Sequence, residues 1–194
     1  AYADAHVRRV IDELERQDLL DDTAIIISAD HGDAFGEHGI YSDHVCADEC
    51  IHHVPLIIRW PGLAPEGATC DALLYTLDLG PTLCDALDLP TPSDWDGRSF
   101  LAALRGEPVD GRDYLVWDHG LYTVQRAVRT RQHLMVRTYD NFGYTSFDPV
   151  ALYDMERDPY ETTNLAAANP QMAAQLKAKL MQQRAQDVAS RGGL

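Results

Sequence analysis

A single run of residues narrows the folds open to this chain: Ala24-Ile-Ile-Ile27, which stops at Ser28-Ala-Asp-His-Gly32. β-Branched side chains crowd a helix and suit a pleated strand. An apolar run this continuous predicts a strand from Thr23 to Ser28 that is buried on both faces. Its carboxyl end then carries Asp30 and His31, and open α/β sheets place their ligands at that end. A carboxylate beside an imidazole is a metal-ligand pair, and Gly32 lets the backbone turn sharply next to an ion. Residues 3–20 read as an amphipathic helix, with Val7, Val10, Ile11 and Leu14 at helical spacing. A helix followed by a strand is half of a βαβ unit, so the expectation is a parallel sheet mixed with helices.

Residues 32–53 are rich in Gly, His and Asp, with little apolar period. A long irregular segment inside a compact domain is usually functional. Pro55 to Trp60 reads as a second strand, closed by Pro61-Gly62. Leu73 to Leu87 begins extended and turns helical, with Asp78 as cap and Pro81 in the first turn. Phe100 to Leu104 is a short helix. From Tyr114 onward, short apolar runs separated by turn residues predict a small antiparallel sheet. Asn169-Pro170 opens a last helix, with Met172, Leu176 and Leu180 spaced by four. Residues 190–194 are expected to fray.

The formal net charge of −15 over 194 residues excludes a nonspecific nucleic-acid binder, which needs a basic face. It leaves room for an anionic substrate at a site made locally positive by a metal. No apolar segment is long enough for a membrane span. The four cysteines, Cys46, Cys50, Cys70 and Cys84, form no CxxC pair, and they leave the cellular compartment open. Cys46 and Cys50, with His44, His52 and His53 nearby, allow a Cys/His zinc site; small buried thiols are the simpler reading.

Five blocks in order carry a resemblance to a known family: Ser28-Ala-Asp-His-Gly32; Phe35-Gly-Glu-His-Gly39; Val54 to Gly62; Tyr75 to Thr82 followed by Asp96-Gly-Arg-Ser99; and Leu152 to Pro159 with Glu161 and Asn164-Leu165. Together they resemble the second half of a sulfatase, in the alkaline-phosphatase-like superfamily of metal-dependent ester hydrolases. The resemblance implies an α/β fold: part of an alkaline-phosphatase-like mixed sheet with flanking helices in residues 1–112, then a C-terminal subdomain in residues 113–194, an antiparallel sheet packed with a helix. It implies a sulfuric ester hydrolase acting on a carbohydrate or aryl sulfate. Relatives with the same fold accept phosphonate monoesters and phosphodiesters, which is the alternative activity. The family's nucleophile, formylglycine, arises from Cys or Ser in Cys/Ser-x-Pro-x-Arg, and no Cys or Ser here is followed by that pattern. A nucleophile supplied by an N-terminal part, and a chain inactive on its own, follow as expectations. A non-catalytic fragment that dimerises through surface covered by the missing part is a further alternative, so a homo-oligomer stays open.

By the same resemblance, Asp30 and His31 are the metal ligands, with Ca²⁺ first by family and Mg²⁺ or Mn²⁺ next. The imidazole of His31, where many sulfatases carry Asn, suits Mn²⁺ or Zn²⁺ better than Ca²⁺. His44 ends Ser42-Asp-His44, where sulfatases commonly carry Gly-Lys-His, so Asp43 occupies the place of a sulfate-contacting lysine. His44 is a candidate general acid or sulfate donor, oriented by Asp43. His119, in Trp117-Asp-His-Gly120, resembles a Trp-Glu-His block near the family's active site and is the second catalytic candidate. Arg126, in Arg126-Ala-Val-Arg129, is the substrate-binding candidate. His38, His52 and His53 read as structural.

Overall fold

In the described chain, two isoleucine-rich segments find each other across the irregular segment. The structure is a computed structural model and describes residues 2–190. Ala1 and residues 191–194 lie outside the described residues, and with them most of the segment expected to fray; Ser190 is the last residue of a helix. Two compact units interleave along the chain. The first comprises residues 1–28, 55–71 and 76–109; the second comprises residues 29–54, 72–75 and 110–194.

The first unit opens with helix α1 (Tyr2–Arg16), whose described side chains are all at least partly exposed. Strand β1 (Ile25–Ser28) pairs with β4 (Leu56–Arg59) in register Ile25↔Arg59 through Ser28↔Leu56. The pairing is antiparallel, which corrects the parallel expectation. A parallel neighbour needs a long crossover, usually a helix, and among the described residues between β1 and β4 the only α-helix is the one-turn α2 (Glu49–His52). The expectation of burial on both faces also fails: the isoleucines of β1 are half-buried and Ile57 is 60% exposed. A two-stranded ribbon cannot cover both faces of itself. Helix α3 (Leu79–Ala86) starts after a 3-10 turn at Thr76–Asp78. Asp78 stands at its N-cap position but makes no side-chain cap bond to the helix. Its buried carboxylate accepts the N–H of Arg98 instead, tying the Asp96-Gly-Arg-Ser99 loop to the helix start. Helix α4 (Leu101–Leu104) follows, one turn long.

The second unit is built on an antiparallel meander, as the short apolar runs between turn residues predict: β5 (Leu115–His119), β6 (Val124–Arg129), β7 (His133–Asp140) and β8 (Val150–Asp154), in that spatial order. Successive side chains leave opposite faces of a strand. Val116, Val128, Met135 and Leu152 point one way and pack on Leu176, Leu180 and Met172 of α5 (Pro170–Ser190). Trp117, Ala127, Leu134, Val136, Ala151 and Tyr153 point the other way and cluster around Ala47. The sheet is therefore covered on both faces, by a helix and by the irregular segment. That segment contains a small hairpin, β2 (Ala34–Phe35) with β3 (Tyr41–Asp43), and then α2. Its own core is Ala34, Ile40, Val45, Cys46 and Ile51 against Phe147. The Asn164-Leu165 motif closes β8: the side-chain oxygen of Asn164 accepts the N–H of Leu152 at 3.0 Å, and the N–H of Leu165 reaches the Leu152 carbonyl at 2.8 Å.

Candidate active site

All five candidate residues fall in the second unit. The first group forms where the chain leaves β1. The main-chain N–H of His31 donates to Asp30 Oδ1 at 3.0 Å, and His31 Nε2 lies 3.8 Å from Asp30 Oδ2. That N–H, with the nearby imidazole, holds the Asp30 carboxyl below the usual carboxylate range. His31 Nδ1 donates to the carbonyl of Gly32 at 2.9 Å, which pushes the imidazole up from its ordinary value. A carbonyl can only accept, so the proton sits on Nδ1 and Nε2 carries the free lone pair.

His44 arrives from the far end of the hairpin, immediately after β3. Its ring stacks on His31, centroids 4.2 Å apart and planes at 27°. Its main-chain N–H donates to Asp43 Oδ1 at 2.8 Å, and its Nδ1 lies 3.6 Å from both Asp33 and Asp43. His31, Asp33 and His44 each offer a ligand atom, all within 4.8 Å of one another. Two imidazole nitrogens and carboxylate oxygens suit a divalent cation of borderline hardness. Asp33 is the member that sequence reasoning missed; its place three residues after Asp30, opening the hairpin, was the available signal.

The irregular segment is held in this shape by the sheet beneath it. Buried Gln125 accepts the Ala47 N–H at 2.7 Å and donates to Thr138 Oγ1 at 3.1 Å. The hydroxyl of buried Thr123 donates to the Val45 carbonyl, and the indole N–H of Trp117 donates to the Ala47 carbonyl at 2.9 Å. Trp117 stands in the Trp117-Asp-His-Gly120 block, whereas Gln125 and Thr123 belong to no motif that would single them out.

His119 ends β5 on the face of Trp117. Its Nε2 donates to the Leu121 carbonyl at 2.9 Å, which leaves Nδ1 free. Burial pulls its pKa down, and His44 is close enough to add to that effect. His52 stacks on Trp117 at 5.1 Å and stands edge-on to His119 at 6.0 Å and 87°. Burial pushes His52 down to about 4, so it is neutral at pH 7, with a buried Nε2 that has no hydrogen-bond partner. Arg126 stands apart. It faces Asp118 across the β5–β6 pair and bonds it at 2.9 Å. By the pleat it lies with Val128 on the α5 side, opposite His119 and Gln125. The structure thus groups His31 and His44 with Asp33, leaves Asp30 beside His31 but outside that cluster, sets His119 within electrostatic reach of His44, and leaves Arg126 on the other face. Among the described residues no cysteine joins a ligand cluster, which removes the Cys/His zinc arrangement.

A second, buried cluster lies on the same segment. His38 meets Asp48 and Glu161, the glutamate of the C-terminal motif.

Comparison with known proteins decides the family. A family described as "N-sulphoglucosamine sulphohydrolase, C-terminal" matches residues 36–186. The chain belongs to the sulfatase family. An N-acetylglucosamine-6-O-sulfatase of Bacteroides thetaiotaomicron is 32% identical over 169 residues, 84% of this chain and 30% of that protein. A solved structure in complex with its substrate D-glucosamine-2-N,6-O-disulfate superposes with a TM-score of 0.81 at 28% identity, covering 94% of this chain and 38% of that one. The phosphonate monoester hydrolase of Agrobacterium radiobacter superposes with a TM-score of 0.77 at 27% identity, covering 94% and 39%. This sulfatase chain therefore has the alkaline-phosphatase-like fold of its neighbours, and it spans about a third of the length of the relatives it matches. Among its described residues no helix is long and apolar enough to cross a membrane.

Proposed function

We propose that the protein carrying this chain is a metal-dependent sulfuric ester hydrolase acting on a sulfated carbohydrate. The carrying observation is the convergence of His31, Asp33 and His44, with Asp30 beside them, in a chain of this family. In this reading Asp30 and His31 hold the cation, with Asp33 and His44 completing or flanking its shell. The bound ion supplies charge that offsets the negative charge growing on the ester oxygens. Its identity is Ca²⁺, Mg²⁺ or Mn²⁺, and the imidazole donors lean toward Mn²⁺.

His44 contributes a ring nitrogen to the cation or to a sulfate oxygen, and Asp33 and Asp43 orient it. His119 keeps one proton fixed on the Leu121 carbonyl, so Nδ1 is the atom that takes up a proton and delivers it to the leaving oxygen. Its lowered pKa leaves Nδ1 mostly unprotonated at neutral pH, so in this reading the proton is first taken from the attacking nucleophile and then passed to the leaving oxygen. The nucleophile comes from outside these residues, and the isolated chain is inactive. Residues 1–112 serve as the end of the catalytic α/β domain and 113–194 as the C-terminal subdomain. Arg126, engaged by Asp118, serves the sheet rather than the substrate.

A second reading, phosphonate monoester hydrolysis, is favoured by Asp43 in the family lysine's place, since an acid cannot hold sulfate electrostatically, and by the likeness to a phosphonate monoester hydrolase. The intact protein separates the two: kcat/KM is measured with glucosamine 6-sulfate, an aryl sulfate and an aryl phosphonate. The sulfatase reading expects at least about a tenfold preference for a sulfate ester. An equal preference for the phosphonate overturns it, and hydrolysis of none of the three leaves a non-catalytic role.

A further inference from the structure

His38 lies between Gly36 and Gly39 in the Phe35-Gly-Glu-His-Gly39 motif, yet the family reading gives it no chemistry. Its φ is 48°, and that of Glu161, which it contacts, is 57°. Left-handed backbone costs a non-glycine residue about 1 kcal/mol or more, so both ends of one contact are held against their preference. The imidazole is bonded at both nitrogens. Nδ1 lies 2.6 Å from Asp48 Oδ2, and Nε2 lies 2.9 Å from the main-chain carbonyl of Glu161. The carbonyl has no proton to give, so Nε2 carries one. The carboxylate distance is that of a charge-assisted bond, so Nδ1 carries another. Glu161 Oε1 accepts the Glu49 N–H at 2.8 Å, while Oε2 is buried with no partner.

We propose that His38 is a positioning residue whose doubly protonated imidazolium, bonded to the Asp48 carboxylate and to the main-chain carbonyl of Glu161, clamps the segment carrying Asp33 and His44 to the turn at residues 158–165. With Glu161 protonated the buried triad is neutral: one cation, one anion, one acid. Ionising Glu161 would place two carboxylates on one imidazolium with an oxygen no water reaches, at a steep desolvation cost. The surroundings agree. Tyr153 of β8 stacks on the ring at 5.9 Å and Phe147 meets its edge at 6.5 Å, so neither supplies a counter-charge at neutral pH. Cys50 of α2 and Asp158 feel the imidazolium, but Asp158 spends its oxygens on Thr162 and Thr163. Glu49 is taken by Arg129 and His53, and Glu37 accepts the Phe35 N–H. Asp48 holds His38 up at about 9, and burial followed by the Asp48 charge pushes Glu161 up to about 8. The three side chains also lie close enough for a cation, but a cation needs an imidazole lone pair, and both are committed to protons.

Both raised groups act in the same direction. Their stabilisation is complete below the ordinary values, 4.5 for Glu161 and 6.5 for His38, and is lost as pH rises from there through about 8 and about 9. Losing either imidazole proton leaves a lone pair facing a carboxylate or a carbonyl.

The test uses the intact protein labelled with ¹⁵N at histidine. At about pH 7 His38 should show two ring N–H signals, one of which disappears between about pH 8 and 10. Over the same range, hydrogen-exchange protection at Gly39, Ile40 and Glu49, corrected for intrinsic rate, should fall at least about tenfold, while β6 and β7 stay protected. Glu161→Gln, which keeps an acceptor for the Glu49 N–H but cannot ionise, should remove the lower step and keep the upper one. A singly protonated His38 at about pH 7, unchanged loop protection, or a stoichiometric metal lost in Asp48→Asn overturns the clamp. None of these readouts requires ester hydrolysis, so the clamp and the hydrolase reading stand or fall separately.

Discussion

Gly32→Ala should damage both the fold and the proposed metal site, because of where its methyl group would go. A Cβ at Gly32 would lie 2.0 Å from the Cys50 carbonyl oxygen and 3.1 Å from its carbon. Carbon and oxygen tolerate about 3 Å at closest approach, so the two backbones must separate by roughly 1 Å. The Gly32 N–H bonds the Ile51 carbonyl at 2.8 Å, and that separation takes it past the usual hydrogen-bond range of about 3.2 Å. Losing the bond costs about 1 kcal/mol and the remaining strain about 1–3 kcal/mol, so the sum is about 2–4 kcal/mol. The glycine is not required by its dihedral angles, since Gly32 is not among the positive-φ residues. The expectation of a sharp turn beside an ion is thus replaced by close packing against α2. Because His31 precedes Gly32, the shift also spoils the 4.2 Å stack on His44. Urea unfolding followed by circular dichroism should show the loss in stability, and metal titration should show at least about tenfold weaker binding. Gly120→Ala is the control, because nothing lies within 4 Å of a Cβ there. Equal midpoints and equal metal affinity for Gly32→Ala and the parent would refute the reasoning.

Three further outcomes are expected. Gln125→Leu strands the Ala47 N–H inside the protein and should cost about 1–3 kcal/mol by urea unfolding, with faster exchange at Ala47. His52 is held neutral by burial and by the charge of His119, with its pKa lowered to about 4, so stability present above about pH 6.5 should fall as pH drops toward 4. In His52→Phe that acid-side loss should shrink by close to one proton's worth, measured as urea midpoints against pH. Arg126→Met removes a partly exposed pair with Asp118 and should change stability by less than about 1 kcal/mol and kcat/KM by less than about threefold. A hundredfold loss of kcat/KM on that substitution would return Arg126 to the substrate.

The meander and the last helix are legible in the sequence because each leaves a local signal. Short apolar runs between turn residues mark β5 to β8, and Leu176 and Leu180 mark the buried stripe of α5. The pairing of β1 is not legible, because Ile25-Ile-Ile27 suits a parallel or an antiparallel neighbour equally, and only the tertiary arrangement of β4 decides. Asp30 and His31 are visible as a motif, and His44 as a histidine in a polar loop. The stacking of His31 on His44 depends on a hairpin of only two and three residues per strand, too short to show a period. Arg126 is a candidate through the resemblance of Arg126-Ala-Val-Arg129 to a family strand near the active site, and what the sequence does not display is the face it takes: the pleat and the Asp118↔Arg126 pairing put it opposite His119. Gln125, Thr123 and Asp48 were invisible because their work is to satisfy buried backbone or histidine groups that exist only once the loop has settled on the sheet.

If Asp30 and His31, beside His44, hold the ion on which ester hydrolysis depends, chelation and reconstitution of the intact protein with glucosamine 6-sulfate as substrate will show it. Chelation should abolish hydrolysis, about one equivalent of Mn²⁺ or Ca²⁺ should restore it, and Asp30→Asn and His31→Ala should bind the ion at least about a hundredfold more weakly and not be restored. Full hydrolysis after chelation, or reconstitution of Asp30→Asn with the parent's affinity, would contradict it.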